Sequence, residues 1–424
     1  MIRRKILPVL EKYINEPETM ILIGSRQVGK TFLMKVLQEN LENKGERTIF
    51  LNLDVGTDKH FLTSQHALVD YLRLKFGNNK GYVFIDEIQR KENAGLFLKG
   101  IYDMTLPYKF IVSGSGSLDI KAKIKESMAG RKRLFHIDPI SFEEFANFKT
   151  HYQYETKLAN FFAIDKIQTR SLFEEYMMFG GYPNVVLADT IDEKRHQIDE
   201  IYKSYIERDI TDMLEVEKPE ALTNLLIMLA SQVGSIVNIN ELSNTIDISA
   251  KTVQRYLWYL EQTFIIKRVS PFYRNKRSEI VKAPIYYFYD TGLRNNLLGL
   301  FNIAPMPPTL TGHLFENVLF NLLRSRFHFT STTIHFWRTR DNAEVDFIID
   351  SGLYACPIEA KYTQLKKTTI PRSFKSFISK YKPKYGYIAH LGEKYTTSYE
   401  GTQIELLPYY ELIFKDFSVL QGNA

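Results

Sequence analysis

Short apolar runs alternate with longer amphipathic stretches along the first 150 residues of the chain. The runs that predict strands are Met20–Ile23, Thr48–Leu53, Tyr82–Ile85, Lys109–Val112 and Leu134–Ile137. Such continuous apolar runs are typical of strands that are buried on both faces. The pattern therefore predicts an α/β fold in which helices cover both faces of a parallel sheet.

The rest of the chain shows two further patterns. Residues 151–300 are mostly helical with a hairpin near their end, and a second α/β unit follows the break at Pro305, Pro307 and Pro308. In that unit we predict a helix at His313–Phe327 and strands at Thr333–Trp337, Ala343–Ile349, Leu353–Lys361 and Tyr385–His390. At roughly 150 residues per domain, a chain of this length contains about three domains.

Composition indicates the cellular compartment of the protein but does not identify its binding partners. The single cysteine, Cys356, cannot form an internal disulfide, and no apolar run is long enough to cross a bilayer. Both features predict a cytoplasmic protein without a membrane segment. The net charge of +6 is too small to indicate nucleic acid by itself, so the positions of the charges must decide.

The strongest motif follows the first predicted strand and opens the helix Thr31–Asn40. Its spacing is that of a phosphate-binding loop, in which backbone N–H groups surround the phosphates of a nucleotide. The lysine of such a loop reaches the β- and γ-phosphates, and the hydroxyl that follows it binds Mg²⁺. The predicted nucleotide-binding residues are Gly24, Ser25, Arg26, Gln27, Val28, Gly29, Lys30 and Thr31.

Two carboxylates, Asp86 and Glu87, come directly after the buried strand Tyr82–Ile85. Ligands bind at the carboxyl ends of the strands in open α/β sheets, so these acids are predicted beside the phosphate loop. We expect Asp86 to hold Mg²⁺ through water and Glu87 to orient or deprotonate the attacking water. Together with Lys30 they form the predicted catalytic set for nucleotide hydrolysis.

Softer candidates lie further along the first segment. Ser113 and Ser115 follow the strand Lys109–Val112 and are predicted to contact the γ-phosphate or the catalytic water, although serines are common in turns after strands. Arg131 and Arg133 are candidates for an arginine finger that reaches the γ-phosphate of a neighbouring subunit. Solvated basic residues are an equally good interpretation of this pair.

Residues 221–290 have the spacing of a helix-turn-helix followed by a hairpin. The predicted third helix, Ser249–Glu261, keeps an apolar side, and the polar residues near its start are those that would meet a DNA major groove. The hairpin that follows concentrates cations, beside the aromatic pair Phe272 and Tyr273, as a DNA-contacting wing would. The DNA-binding candidates are Lys251, Thr252, Gln254, Arg255, Arg274, Lys276 and Arg277. The alternative is a winged helix that contacts a protein.

Three acidic residues and a lysine in the last segment follow an order that is typical of a metal-dependent nuclease site. Glu316 lies on the predicted helix, Asp346 on a strand, and Glu359 and Lys361 on the next strand. The carboxylates would hold Mg²⁺ or Mn²⁺, and the lysine would position or activate water for attack on a phosphodiester. This arrangement resembles the PD-(D/E)XK nuclease core, although many domains with that fold do not cut.

Several motifs together resemble the prokaryotic AAA-type ATPases with a C-terminal domain of uncharacterised function, the AAA_14/DUF4143 architecture. They are Gly24–Thr31, Phe84–Gln89, Ser113–Ser115, Ala129–Arg131, Pro139–Glu143 and Phe179–Pro183. The resemblance covers essentially the whole chain and implies ATP as the nucleotide. It also implies four segments: an AAA+-like ATPase core (1–150), a helical lid or linker (151–220), a winged helix (221–300) and a nuclease-like domain (301–424).

The sequence thus predicts an ATP-hydrolysing protein that binds and remodels or translocates on DNA. A finger supplied by a neighbour would require a homo-oligomer, and a hexamer is the usual arrangement by analogy of fold. Two alternatives remain open: an ATP-regulated, metal-dependent DNA nuclease, and a nucleotide-dependent protein-binding switch in signalling or toxin–antitoxin control.

Overall fold

The structure is a computed structural model that describes residues 1–115, 128–205, 218–273, 283–302, 307–327, 330–366 and 369–417. The chain forms two compact units. The first contains Met1–Ile140 with the short segments Tyr182–Asn184 and Leu257–Ile265, and the second contains the remaining residues. The predicted division into four segments is finer than these units and stays a prediction.

The first unit is built on a parallel sheet of five strands in the order β2-β3-β4-β1-β5. The strands are β1 (Thr19–Gly24), β2 (Thr48–Asn52), β3 (Gly81–Asp86), β4 (Tyr108–Ser115) and β5 (Lys132–His136). The helices are α1 (Ile6–Lys12), α2 (Lys30–Glu42), α3 (Gly56–Phe61), α4 (Gln65–Phe76) and α5 (Ala94–Asp103). Every residue of β1 and β3 is buried, which requires cover on both faces of the sheet. The predicted α/β class and parallel sheet are confirmed.

Helices dominate the segment that follows. They are α6 (Phe142–Lys149), α7 (Leu158–Ile164), α8 (Lys166–Phe179), α9 (Pro183–Leu187), α10 (Ile191–Ile201), α11 (Pro219–Ser231), α12 (Ile239–Thr245), α13 (Ala250–Gln262) and α14 (Thr291–Leu297). Ser249 caps α13, because its Oγ accepts a hydrogen bond from Thr252 N at 3.1 Å. Two antiparallel strands, β6 (Ile266–Val269) and β7 (Ile285–Phe288), form the predicted hairpin.

The end of the chain forms the second α/β arrangement. Its mixed sheet has the order β12-β13-β11-β10-β9-β8. Its elements are α15 (Pro308–Arg326), β8 (Thr333–Arg338), β9 (Glu344–Asp350), β10 (Ala355–Lys361), α16 (Arg372–Tyr381), β11 (Tyr385–His390), β12 (Tyr395–Tyr399), β13 (Thr402–Pro408) and α17 (Glu411–Phe414). Among the helices that the structure describes, none combines the length and the hydropathy needed to cross a bilayer.

Candidate functional site

The predicted phosphate loop connects the end of β1 to the start of α2. Gly29 stands at the helix N-cap with a φ of +94°, a left-handed conformation that other residues rarely adopt. Gly24 is required for a different reason, since a Cβ atom there would lie 2.2 Å from the carbonyl oxygen of Ile137. The glycines therefore allow a tight turn and a close approach of β1 to the segment after β5.

Lys30 is folded over the loop that precedes it. Its Nζ donates to the carbonyl oxygens of Gly24 at 3.1 Å and Ser25 at 2.7 Å, and the side chain is buried. Burial lowers the pKa of Lys30 to about 8, although the nearby carboxylates of Glu87 and Asp86 oppose that change. The lysine thus lies between the loop and the acids at the end of β3.

Asp86 ends β3 and receives hydrogen bonds from both neighbouring elements. Thr31 Oγ1 donates to Asp86 Oδ2 at 2.7 Å, and the hydroxyl of Ser113 on β4 donates to Asp86 Oδ1. Ile85 pairs with Val112 in the sheet, so the next residues on these strands, Asp86 and Ser113, are adjacent. The order of the strands therefore brings together residues that lie far apart in the sequence.

Glu87 follows Asp86 in a left-handed conformation, with a φ of +57°. Its backbone N–H donates to Asp86 Oδ1 at 3.2 Å and to Ser113 Oγ at 3.3 Å, and its carboxylate accepts a hydrogen bond from Gln89. Burial raises the pKa of Glu87, an effect that the positive charge of Lys30 partly offsets. The bend at residue 87 thus holds a second carboxylate beside Lys30.

Arg4 supports the loop, and sequence reasoning missed it. Its guanidinium is buried and donates to the carbonyl oxygens of Val28 at 2.9 Å and Asp138 at 2.7 Å. Arg4 thereby ties the phosphate loop to the segment after β5. No spacing rule connects it with the motif, because the contacts span 24 and 134 residues of sequence.

The remaining loop residues and the softer candidates fall in different places. Arg26 is half-buried and Gln27 is exposed, while Ser115 is the last residue of β4 and pairs with Gly24. Arg131 and Arg133 lie at the opposite edge of the sheet, where the amino ends of the strands meet, because Arg133 pairs with Met20. Arg131 forms an ion pair with Asp103 at 2.8 Å, and Arg133 forms one with Glu18 at 2.9 Å. The structure does not bring these two arginines to the phosphate loop of the same chain.

The predicted recognition helix exposes three of the four DNA-binding candidates that lie on it. Lys251, Gln254 and Arg255 are exposed on α13, and Thr252 is half-buried against its hydrogen bond to Ser249. Arg274, Lys276 and Arg277 lie outside the described residues. The expectation that Phe272 belongs to an exposed wing is wrong, because this side chain is 5% exposed in an apolar core with Trp337 and Phe377. The backbone at Phe272 is also held there, since its N–H donates to Phe336 O at 2.6 Å.

The acidic residues of the last segment form one cluster with a lysine, the carboxylate–lysine cluster of Glu316, Asp346, Glu359 and Lys361. Strands β9 and β10 pair as far as Phe347 and Ile358, and beyond this point Asp346 Oδ2 accepts a hydrogen bond from Ala360 N at 2.7 Å. Lys361 Nζ lies 2.7 Å from Glu359 Oε1, and Tyr287 donates its hydroxyl hydrogen to Glu316.

Burial and mutual repulsion govern the electrostatics of the carboxylate–lysine cluster. Burial, reinforced by Asp346, raises the pKa of Glu316 well above its usual range and that of Glu359 to about 8. Burial also raises the pKa of Asp346, and Lys361 partly offsets this. Burial alone would lower the pKa of Lys361, but the carboxylates of Glu359 and Asp346 outweigh it and raise the pKa. Glu359 Oε2 is buried and has no hydrogen-bond partner among the residues that the structure describes.

The charge of the carboxylate–lysine cluster favours a bound metal ion, but the positions of its carboxylates do not. Over the residues that the structure describes, no group of three or more histidine, cysteine or acidic side chains is arranged to hold a metal ion. The four predicted residues are therefore neighbours, but their carboxylates are engaged with Ala360, Tyr287 and Lys361 instead of converging on one point.

Comparison with known families divides the chain into three matched regions. Residues 16–146 match an AAA domain family (AAA_14), and residues 311–412 match a domain of unknown function, DUF4143. These matches confirm the predicted AAA and DUF4143 architecture. Between them, residues 170–304 match another domain of unknown function, DUF8612, which the sequence analysis had not identified. The AAA match supports nucleotide binding by the first unit, whereas no match supports a nuclease fold.

Related proteins align with most of this chain, at low sequence identity. An uncharacterized protein of Methanocaldococcus jannaschii is 26% identical over 78% of this chain and 71% of its own length. An uncharacterized protein of Haemophilus influenzae is 24% identical over 82% of this chain and 83% of its own length. Among solved structures, replication initiator DnaA bound to AMPPCP and single-stranded DNA is 13% identical over 62% of this chain and 90% of that one. Its TM-score of 0.28 is too low to support any argument about this protein.

Proposed function

We propose that this protein hydrolyses ATP with Mg²⁺ and uses the reaction to act on DNA. The observation that carries the first part is the convergence of Thr31, Ser113 and the backbone of Glu87 on the carboxylate of Asp86. It supports hydrolysis because a phosphate loop, a metal-binding acid and a second acid lie at one edge of the sheet. A motif for nucleotide binding alone needs only the loop.

The residues at this edge fit a magnesium ion. The hydroxyl of Thr31 and the carboxylate of Asp86 are oxygen donors of the kind Mg²⁺ prefers, and they lie 2.7 Å apart. When bound with ATP, Mg²⁺ would neutralise charge that develops on the β- and γ-phosphate oxygens. Lys30 would exchange its loop carbonyls for phosphate oxygens, and Glu87 would orient or deprotonate the attacking water. Ser113 would fix the positions of Asp86 and Glu87.

ATP turnover with purified variants tests this proposal. Lys30→Ala should abolish turnover by weakening nucleotide binding. Glu87→Gln should lower the rate by about 10²–10⁴-fold while ATP still binds, because it removes only the group that acts on water. Lys75→Ala, the same substitution at an exposed lysine on α4, is the matched control and should leave turnover unchanged. Wild-type turnover in both Lys30→Ala and Glu87→Gln would overturn the proposal.

The DNA part of the proposal is supported by the exposed polar side of α13. Lys251 and Arg255 present two cations beside Gln254, on a helix whose residues Val253 and Tyr256 are buried. Each phosphate contact that is lost should weaken binding and reduce its salt dependence. We expect Lys251→Ala with Arg255→Ala to weaken binding of duplex DNA at low salt, whereas Lys384→Ala, an exposed lysine elsewhere, should not.

The same measurement separates the rival functions. Neutralising Arg274, Lys276 and Arg277 should weaken DNA binding further if they belong to the interface. If the wild-type protein binds no DNA or RNA at low salt, the nucleotide-dependent protein-binding switch becomes the better proposal. Particle size with and without ATP tests the proposed homo-oligomer, for which a hexamer is expected by analogy of fold.

A second candidate function, an ATP-regulated nuclease, is favoured by one observation. Glu359 has a buried oxygen that accepts no hydrogen bond from the described part of the chain, and a cation beside it would relieve the repulsion between the carboxylates of Glu359 and Asp346. Glu359 and Asp346 would hold Mg²⁺ or Mn²⁺, and Lys361 would position water. The test is cleavage of linear, branched and supercoiled DNA that disappears in Asp346→Ala and Lys361→Ala. Failure to cleave any of these substrates with either ion would reject this candidate.

A further inference from the structure

A cavity of about 210 Å³ lies in the second unit, within the α/β arrangement and the helix α8. It is lined by the first turns of α8, by the segment that follows β10 and by the turn between β11 and β12. Three cations, Lys166, Arg170 and Lys366, face one acid, Glu393, in this lining. Asp165 caps the N-terminus of α8 by accepting a hydrogen bond from Gln168 N at 3.0 Å, so the helix end adds little to this excess. The lining cations themselves are what favour an anion in the cavity.

The three lining cations differ in whether an acidic side chain pairs with them. Lys166 contacts Glu393, and Arg170 Nε donates to Glu174 at 2.8 Å. Lys366 is exposed and forms no ion pair with any residue that the structure describes. Among the described residues, Lys366 is thus the lining cation without an acidic partner, and its exposure favours a replacement that leaves the fold intact.

Aromatic rings form another part of the wall and are held in place from behind. Tyr409 is 4% exposed, and its ring centroid lies 3.9 Å from that of Phe173. The half-buried rings of Tyr395 and Tyr410 pack against His390 at 6.5 Å and Phe162 at 5.5 Å. Burial raises the pKa of Tyr410 to about 12, so its hydroxyl remains a hydrogen-bond donor at neutral pH. The half-buried rings of Tyr395 and Tyr410 are therefore rigid surfaces of the kind on which a nucleobase stacks.

The fully buried side chain of His390 joins two of the segments that line the cavity. Its Nδ1 accepts hydrogen bonds from Leu365 N at 3.2 Å and Gly392 N at 3.0 Å, and these two residues belong to different lining segments. A hydrogen bond from Leu391 N to Thr363 O at 2.9 Å joins the same segments. The cavity is therefore formed before any ligand binds, which lowers the entropic cost of binding.

We propose that this cavity binds one nucleotide unit, in which Lys366 and Arg170 contact the phosphate and the tyrosines contact the base. A phosphate requires the excess of cations, and a planar base requires the rings, so the two halves of the lining correspond to the two halves of a nucleotide. Free nucleotide and the end of a nucleic-acid strand share this chemistry. The site belongs to the second unit and does not use the phosphate loop.

The test is calorimetric titration of the full chain carrying Lys30→Ala, which separates this site from the phosphate loop. Thymidine 5′-monophosphate should bind at one site per chain, and thymidine, which lacks the phosphate, should bind about tenfold more weakly. Lys366→Glu should weaken the monophosphate by about tenfold or more, whereas Arg372→Glu, the same reversal at an exposed arginine outside the cavity, should leave it unchanged.

Two further measurements distinguish a strand end from a free nucleotide and test the stacking surface. Tighter binding of a 5′-phosphorylated thymidine oligonucleotide than of the monophosphate indicates a strand end, and weaker binding indicates free nucleotide. Tyr395→Leu should weaken the binding of both the monophosphate and thymidine, because it removes a stacking surface that both ligands use. The proposal is overturned if the monophosphate does not bind, or if it binds equally well to Lys366→Glu. Neither result depends on whether the phosphate loop hydrolyses ATP.

Discussion

The phosphate-loop site and the carboxylate–lysine cluster both place buried acids beside a lysine, but they satisfy those acids differently. Both oxygens of Asp86 accept hydrogen bonds, from Thr31 on one side and from Ser113 and Glu87 N on the other. Glu359 has one oxygen paired with Lys361 and one with no partner within the described ranges, and burial raises its pKa to about 8. The first site is organised without a ligand, whereas a cation would lower the free energy of the second.

Removing the charge of one acid at each site is the strongest way to break this comparison. Asp86→Asn should lower ATP turnover by about 10–100-fold, the range for groups that hold a metal through an outer contact. Asp346→Asn is the matched change in the other unit and should leave ATP turnover unaltered, because nothing in the first site depends on it. Steady-state ATPase rates check both, and an equal loss in Asp346→Asn would mean that the two sites serve one reaction.

Adding a methyl group to a glycine near each site should have opposite effects on stability. Gly24→Ala places a Cβ 2.2 Å from Ile137 O and should cost about 1–3 kcal/mol, since backbone must move. At Gly312, within α15, an added Cβ atom would meet no described residue within 4 Å apart from its chain neighbours and its own helix backbone. Gly312→Ala should therefore stabilise the protein by about 0.5–1 kcal/mol. Denaturant unfolding measures both changes. Destabilisation by Gly312→Ala would show that α15 is packed more tightly around this position than described.

At each site a hydroxyl donates a hydrogen bond to a buried acid, and removing the hydroxyl of Ser113 tests how far Asp86 depends on this donor. Ser113→Ala should cost about 0.5–1.5 kcal/mol of transition-state stabilisation, or up to about a tenfold loss in ATP turnover. Tyr287→Phe removes the hydroxyl that Glu316 accepts from and should not change ATP turnover. If Ser113→Ala retains the full rate, Thr31 and the backbone of Glu87 are sufficient to position Asp86.

The same contrast shows what the sequence could and could not predict. Gly24, Lys30 and Asp86 were identified because local spacing and a buried strand fix their positions, and the order of parallel strands does the rest. Arg4 and the buried position of Phe272 depend on contacts between distant segments, which no periodicity encodes. The cluster of Glu316, Asp346, Glu359 and Lys361 was found by order along the chain, but only geometry revealed that their carboxylates do not converge.

Titration provides the smallest and most specific test, because it isolates Glu359. Its pKa of about 8 in the folded chain lies above its ordinary value of 4.5, so folding favours the protonated form. The stabilising contribution is complete below the ordinary value and is lost as pH rises through about 8. Glu359→Gln cannot ionise and escapes this loss. The melting temperature of the variant minus that of the wild type should therefore increase between about pH 5 and about pH 9.

Melting curves recorded without divalent cations measure this difference, which should amount to about 2–4 °C for each kcal/mol in the second unit. A flat difference for Glu359→Gln would mean that Lys361 holds the carboxylate ionised throughout this range. The cluster would then resemble the phosphate-loop site, where every oxygen of Asp86 is already satisfied, and the case for a cation beside Glu359 would fail.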